Sequence, residues 1–162
     1  MTEAEKVPTR TLAELEPLIR EAFADGKLFQ LPVTGTSNRP TLRAGRDQVV
    51  LDRVAGPLKK YDLPLYRRDN GQYVLHRIIA VGRDGIYTCC GDGQWTPETG
   101  LRQDQLVAVA VGILRNGRAI SVKQPGHWLW VRLWAILRPL RRYLLWLGRA
   151  LSRCFRRLFS KH

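Results

Sequence analysis

Ser37 lies in the run Gly35-Thr36-Ser37-Asn38-Arg39-Pro40-Thr41-Leu42, a small-residue loop that turns at a proline. His76 lies in Tyr73-Val74-Leu75-His76-Arg77-Ile78-Ile79-Ala80-Val81, an apolar run with strand character. A serine hydroxyl becomes a useful nucleophile when a base takes its proton, and imidazole titrates near neutral pH. The two side chains together are the smallest unit able to attack a carbonyl carbon. Backbone N–H groups in so tight a loop are also suited to stabilising an oxyanion. A third member would be an acid that orients the imidazole. Asp92, in Cys90-Gly91-Asp92-Gly93, stands on a glycine-rich turn after a strand, and Glu98 follows in the same loop. His127 and His162 lie in or beside a basic tail and are weaker candidates for the base.

These groups need a frame, and the chain's patterning supplies one. Thr11 and Glu14 have capping-box spacing, and Leu12, Leu15, Leu18, Ile19 and Phe23 recur at helical intervals before Asp25-Gly26. The spacing predicts a short amphipathic helix within residues 1–28. From Phe29 to Val122 the pattern changes to short apolar runs with turn punctuation: Asn70-Gly71 and Asp84-Gly85 are hairpin signals, and Asn116-Gly117 separates two further runs. Residues 29–122 are therefore expected to form a mainly β, compact antiparallel body of six or seven strands. Tyr73–Val81 reads as one strand, Gly91–Gly100 as an irregular loop and Ala119–Val122 as the last strand. Lys123-Gln124-Pro125-Gly126 reads as a linker to a tail over 123–162.

The net charge of +13 suggests nucleic acid until it is localised. Residues 120–162 hold ten Lys/Arg and no Asp or Glu, so the body is nearly balanced. The same segment carries four of the five tryptophans. At 100° per residue Arg138, Arg142, Arg149, Arg153 and Arg156 fall in one sector, opposite Leu133, Leu140, Leu144, Leu147, Leu151 and Leu158, with a kink expected at Pro139. Residues 128–147 contain Arg132, Arg138, Arg141 and Arg142. Each arginine costs about 2.5–3.5 kcal/mol at a bilayer centre, against a few tenths gained per leucine, so spanning loses. A basic, Trp-rich amphipathic helix suits an anionic membrane surface, through residues 128–158, better than a protein partner or nucleic acid. The acidic start Met1-Thr2-Glu3-Ala4-Glu5 does not read as a signal peptide. Cys89, Cys90 and Cys154 make an odd set without metal-site spacing, which points to a reducing compartment and no disulfide framework. The expected location is the cytoplasm, peripheral at the inner face of the membrane.

The motif order resembles the signal peptidase I superfamily. Gly35 to Leu42 followed by Gly45-Arg46-Asp47 is similar to that family's Ser-Gly-Ser-Met-x-Pro-Thr-Leu box and Gly-Asp. Leu58 to Tyr66 is similar to its second Gly-Asp-Ile-Val strand. Val74-Leu75-His76-Arg77-Ile78 resembles the Val-His-Arg-Ile box of the endoplasmic-reticulum-type branch, in which histidine replaces lysine as the base. Cys90 to Gly93 resembles the Lys-Gly-Asp-Asn box, and Val109-Ala110-Val111-Gly112 the closing strand. The likeness covers about residues 29–118. It implies a signal-peptidase/repressor-peptidase-like β fold and a serine-type endopeptidase with neither metal nor organic cofactor. Ser37 would attack, His76 would act as base, and Asp92 or Glu98 would orient it, with Asp92 preferred because it matches the Gly-Asp box. Glu98 falls where the endoplasmic-reticulum-type aspartate stands if the loop is aligned without a gap. The implied substrate is a leader, signal or precursor peptide. Asn38 replaces the family's methionine, Tyr61 replaces a glycine, and no N-terminal transmembrane anchor is expected. The self-cleaving repressors of the superfamily use Ser-Lys, but Lys59 and Lys60 stand well before the His76 position.

Overall fold

A computed structural model describes residues 11–138 and Leu140. The N-terminal signal becomes helix α1 (Leu12–Ala24), with both bonds of the Thr11–Glu14 capping box formed. Its Ile19 is buried, and Leu12, Leu15 and Phe23 pack beside it on the main core. Among the described residues nine strands follow: β1 (Phe29–Pro32), β2 (Asp47–Asp52), β3 (Pro64–Arg67), β4 (Tyr73–Leu75), β5 (Arg77–Val81), β6 (Tyr87–Cys90), β7 (Glu98–Leu101), β8 (Leu106–Arg115) and β9 (Arg118–Ser121). Helix α2 (Pro125–Ile136) follows. The mainly β expectation holds, with more strands than the six or seven read from the sequence.

Two antiparallel sheets divide the strands. The larger runs in the order β1-β2-β8-β3-β4, with β9 also paired to β8, and the smaller in the order β5-β6-β7. Leu31, Val49, Leu51, Leu65, Ala108 and Ile113 fill the core of the first. Tyr66, Ile78, Tyr87, Cys89 and Leu101 form a second core under the smaller sheet. The β8–β9 hairpin turns at Asn116 and Gly117, both at positive φ, as the Asn-Gly signal requires.

Three boundaries differ from the sequence reading, each for a local reason. The Tyr73–Val81 run is broken at His76: β4 ends the larger sheet and β5 begins the smaller. A continuous apolar run cannot reveal where a strand changes partners. The Gly91–Gly100 loop is shorter than expected, because Glu98–Leu101 pairs with β6. The linker reduces to a brief turn, since Pro125 supplies the first residue of α2, where its missing N–H costs nothing. The last strand is Arg118–Ser121, within a residue of the expected bounds. No helix among the described residues is long and apolar enough to cross a membrane. The arginine sector from Arg142 onward, and the kink at Pro139, lie outside the described residues.

Candidate active site

His76 owes its position to the break between the sheets. Its own residue belongs to neither, so the imidazole reaches the seam where Tyr66 of β3 and Glu98 of β7 also arrive. The ring is almost wholly buried. His76 Nδ1 lies 3.1 Å from Glu98 Oε1 and 3.4 Å from the Tyr66 hydroxyl. Arg68 grips the same carboxylate from the other side, through Nε at 2.8 Å from Oε2 and through Nη2 on Oε1. The Arg68 bond and charge hold Glu98 below the usual carboxylate range despite partial burial. An ionised carboxylate only accepts hydrogen bonds, so the hydrogen of neutral His76 belongs on Nδ1. Nε2 is then the basic nitrogen. Burial lowers the imidazole's pKa below its ordinary value, and the Glu98 charge opposes that without reversing it. His76 is therefore neutral, and able to take a proton, at neutral pH.

Ser37 and His76 line one open cleft of about 280 Å³. Its apolar lining includes Leu31, Val33, Val49, Leu65 and Leu75. Both outer strands of the larger sheet, β1 and β4, contribute to it. The serine loop is fastened by its backbone. Gly93 N–H donates to the Ser37 carbonyl at 2.8 Å, and Leu42 N–H to that of Asn38 at 2.9 Å. The Arg39-Pro40 peptide is cis. A Cβ at Gly91 would stand 2.5 Å from the Ser37 carbonyl oxygen, and one at Gly93 2.7 Å from that of Arg39. The two glycines are what lets the Gly-Asp-Gly turn lie against the serine loop.

Asp92 is not the acid on His76, contrary to the sequence preference. Its side chain is buried and forms a two-bond ion pair with Arg77, Nε–Oδ1 and Nη2–Oδ2 both at 2.8 Å. Burial raises its pKa, but Arg77, with Thr41 and the Arg138 charge, turns the net shift downward. His76 and Arg77 are consecutive, and consecutive side chains of an extended chain leave on opposite sides. Arg77 turns to Asp92, and His76 turns to Glu98. Arg77 also donates to the Tyr61 carbonyl at 2.9 Å.

Asn38 has a definite task. Its buried side chain donates through Nδ2 to the Leu75 carbonyl at 2.6 Å and accepts from Asp92 N–H at 3.4 Å. One amide thus ties the serine loop, the residue before His76 and the Gly-Asp-Gly turn together. Apolar methionine has no such pair of bonds. Tyr61 adopts φ 81°, a left-handed backbone that glycine enters without strain. Its ring instead receives the Arg132 guanidinium of α2 at 4.8 Å.

Sequence reasoning brought Ser37, His76 and Glu98 to one neighbourhood and missed the groups that hold them. Arg68 stands thirty residues from Glu98 in the chain, and nothing in its own surroundings marks it. Tyr66 reads as an ordinary core aromatic. Trp134 looked like part of a tail, yet its Nε1 donates to the Asp92 carbonyl at 2.8 Å. Cys89 and Cys90 are both buried, and burial pushes the Cys89 thiol up to about 12, which leaves it inert as a nucleophile. Among the described residues no cluster of His, Cys, Asp and Glu is arranged to hold a metal ion. Comparison with protein-family models, curated proteins and solved structures finds no match.

Proposed function

We propose that the protein is a serine endopeptidase of the signal-peptidase type, with Ser37 as nucleophile, His76 as base and Glu98 as the acid that orients it. One observation carries this reading: a neutral histidine, pinned through Nδ1 by an ionised carboxylate, lines the cleft that also holds the serine. Ser37 Oγ attacks the carbonyl carbon of a peptide bond and gives its proton to His76 Nε2. The tetrahedral intermediate collapses, and the leaving amine departs with that proton. Water, deprotonated by the same nitrogen, then releases the acyl group from Ser37. No metal or organic cofactor enters these steps.

The substrate is an extended peptide, a leader, signal or precursor segment. The outer strands β1 and β4 flank the cleft and offer backbone pairing, and the apolar lining accepts small apolar side chains. The motif order shared with signal peptidases, and the β-rich body, support this assignment. Asn38 and Tyr61 depart from that pattern, but both are built into the frame. A peptidase-like module without catalysis, binding a membrane or partner through its C-terminal helix, is the competing reading, and the exposed outer face of α2 favours it. Incubating the full chain with a library of extended peptides, cleavage being read by mass spectrometry, separates the two. Cleavage lost in both Ser37→Ala and His76→Ala supports the peptidase. Cleavage that survives Ser37→Ala, or none in the wild type, overturns it.

A further inference from the structure

Helix α2 has one face committed to the body. Val131 is buried, His127 is half-buried, and Trp134 is bonded to the Asp92 carbonyl. The opposite face is not covered. Leu129, Leu133 and Ile136 recur at i, i+4 and i+7 and are exposed, and Leu137 and Leu140 continue the apolar surface. Trp128 and Trp130 stand half-exposed on its two flanks, Trp130 stacked on Trp134 at 5.5 Å.

A cleft opens along each flank of this helix, and both are cationic. On the Trp128 side, about 300 Å³ is lined by Lys59, Lys60, Lys123 and Arg132, with Asp62 as its one carboxylate and with Arg77 already paired to Asp92. On the Trp130 side, about 450 Å³ is lined by Arg43, Arg46 and Arg115, the last two already paired to the buried Asp47, so that Arg43 is the cation left over there. Three of these seven cations, Arg43, Lys59 and Lys60, are exposed residues of the body. Basic charge near α2 is thus not confined to the tail.

We propose that this face seats the protein on an anionic phospholipid surface, with the Leu129–Leu133–Ile136 stripe and the flanking tryptophans in the interfacial layer and lipid phosphates in the two clefts. Charge selects this occupant. Residues 141–162 carry seven Lys/Arg and no Asp or Glu, so that segment would be repelled by the clefts. A second copy would set cations against cations. The inference does not depend on the peptidase reading. It does bear on it, because Trp134 ties the seat to the turn that packs on the Ser37 loop.

Vesicle flotation with the full chain tests the seat, using mixed phosphatidylglycerol–phosphatidylcholine vesicles against pure phosphatidylcholine. The triple variant Arg43→Glu/Lys59→Glu/Lys60→Glu leaves the whole tail in place and alters exposed side chains. Each basic group near an anionic surface is worth about five-fold in partitioning, so the triple variant is expected to bind about a hundred-fold more weakly. Lys59→Ala/Lys60→Ala is the gentler check, expected at about twenty-fold. Equal partitioning of wild type and both variants would make residues 141–162 the whole binding element and overturn the proposal. Equal binding to neutral vesicles, or preferential capture by duplex DNA, would overturn it as well.

Discussion

His76 and Arg77 are neighbours in the chain, and each takes an acid from the segment that runs from the end of β6 into β7, yet the two pairs differ in almost every physical respect. The Arg77–Asp92 side chains are both 4% exposed, and each bonds the other twice. Glu98 is 31% exposed and is shared among Arg68, Tyr66 and His76. The first pair has no outlet to solvent and fixes the frame. The second holds a titratable ring whose other nitrogen stays free to exchange a proton. A closed ion pair beside a partly open one lets the same strand segment both fix the frame and carry a titratable ring.

The buried pair is where a single substitution costs the most. Asp92→Asn leaves the Arg77 guanidinium buried without its counter-charge and is expected to cost about 3–5 kcal/mol in a denaturant titration. A loss below about 1 kcal/mol would mean that Asp92 is not a frame element. The same contact sets an acid limit. Asp92 and Asp47 both have pKa values lowered from 3.8, Asp47 because Arg46, Arg115 and the Arg43 N–H outweigh its burial. Their stabilisation is complete above that value and is lost as pH falls through the lowered native values, so unfolding followed by circular dichroism should set in below about pH 4. A fold equally stable at pH 2 would contradict this.

Asn38→Ala is the next largest change. It leaves the Leu75 carbonyl without its donor and should cost about 1–3 kcal/mol. It should also loosen the serine loop against His76, so peptide cleavage should fall further than stability does. Glu98→Gln should scarcely affect stability, since a half-exposed ion pair contributes about 1 kcal/mol or less. Its effect falls on the base. Glu98 raises the His76 pKa against burial, so its loss should move the acid limb of the pH–rate profile to lower pH, with a lower plateau. An unmoved limb would take Glu98 out of the site. Tyr61→Gly is the smallest change. Relief of the left-handed backbone and loss of the Arg132 contact oppose one another, each worth about 1 kcal/mol, and the melting temperature should move little.

The sequence was informative where physics is local. The Thr11–Glu14 cap and the Asn116-Gly117 turn each depend on a few adjacent residues, and both formed as read. Ser37, His76 and Glu98 were legible as types in a motif order. The assignment of acids was not, because it depends on which sheet each neighbour of His76 enters. Tyr73–Val81 reads as one strand, since apolar residues continue through the point where the chain changes sheets. The longer Glu98, not Asp92, reaches the ring because β7 brings it alongside Cys89. Asn38, read only as a departure from the family pattern, makes its bonds to residues far along the chain.

The peptidase assignment stands or falls on intact mass after exposure to a peptide-based serine warhead, with wild type, Ser37→Ala, His76→Ala and Glu98→Gln compared across pH. One covalent adduct is expected on the wild type, none on Ser37→Ala or His76→Ala, and a slower, acid-shifted reaction in Glu98→Gln. A wild type that stays unlabelled, or an adduct that persists in Ser37→Ala, would contradict it.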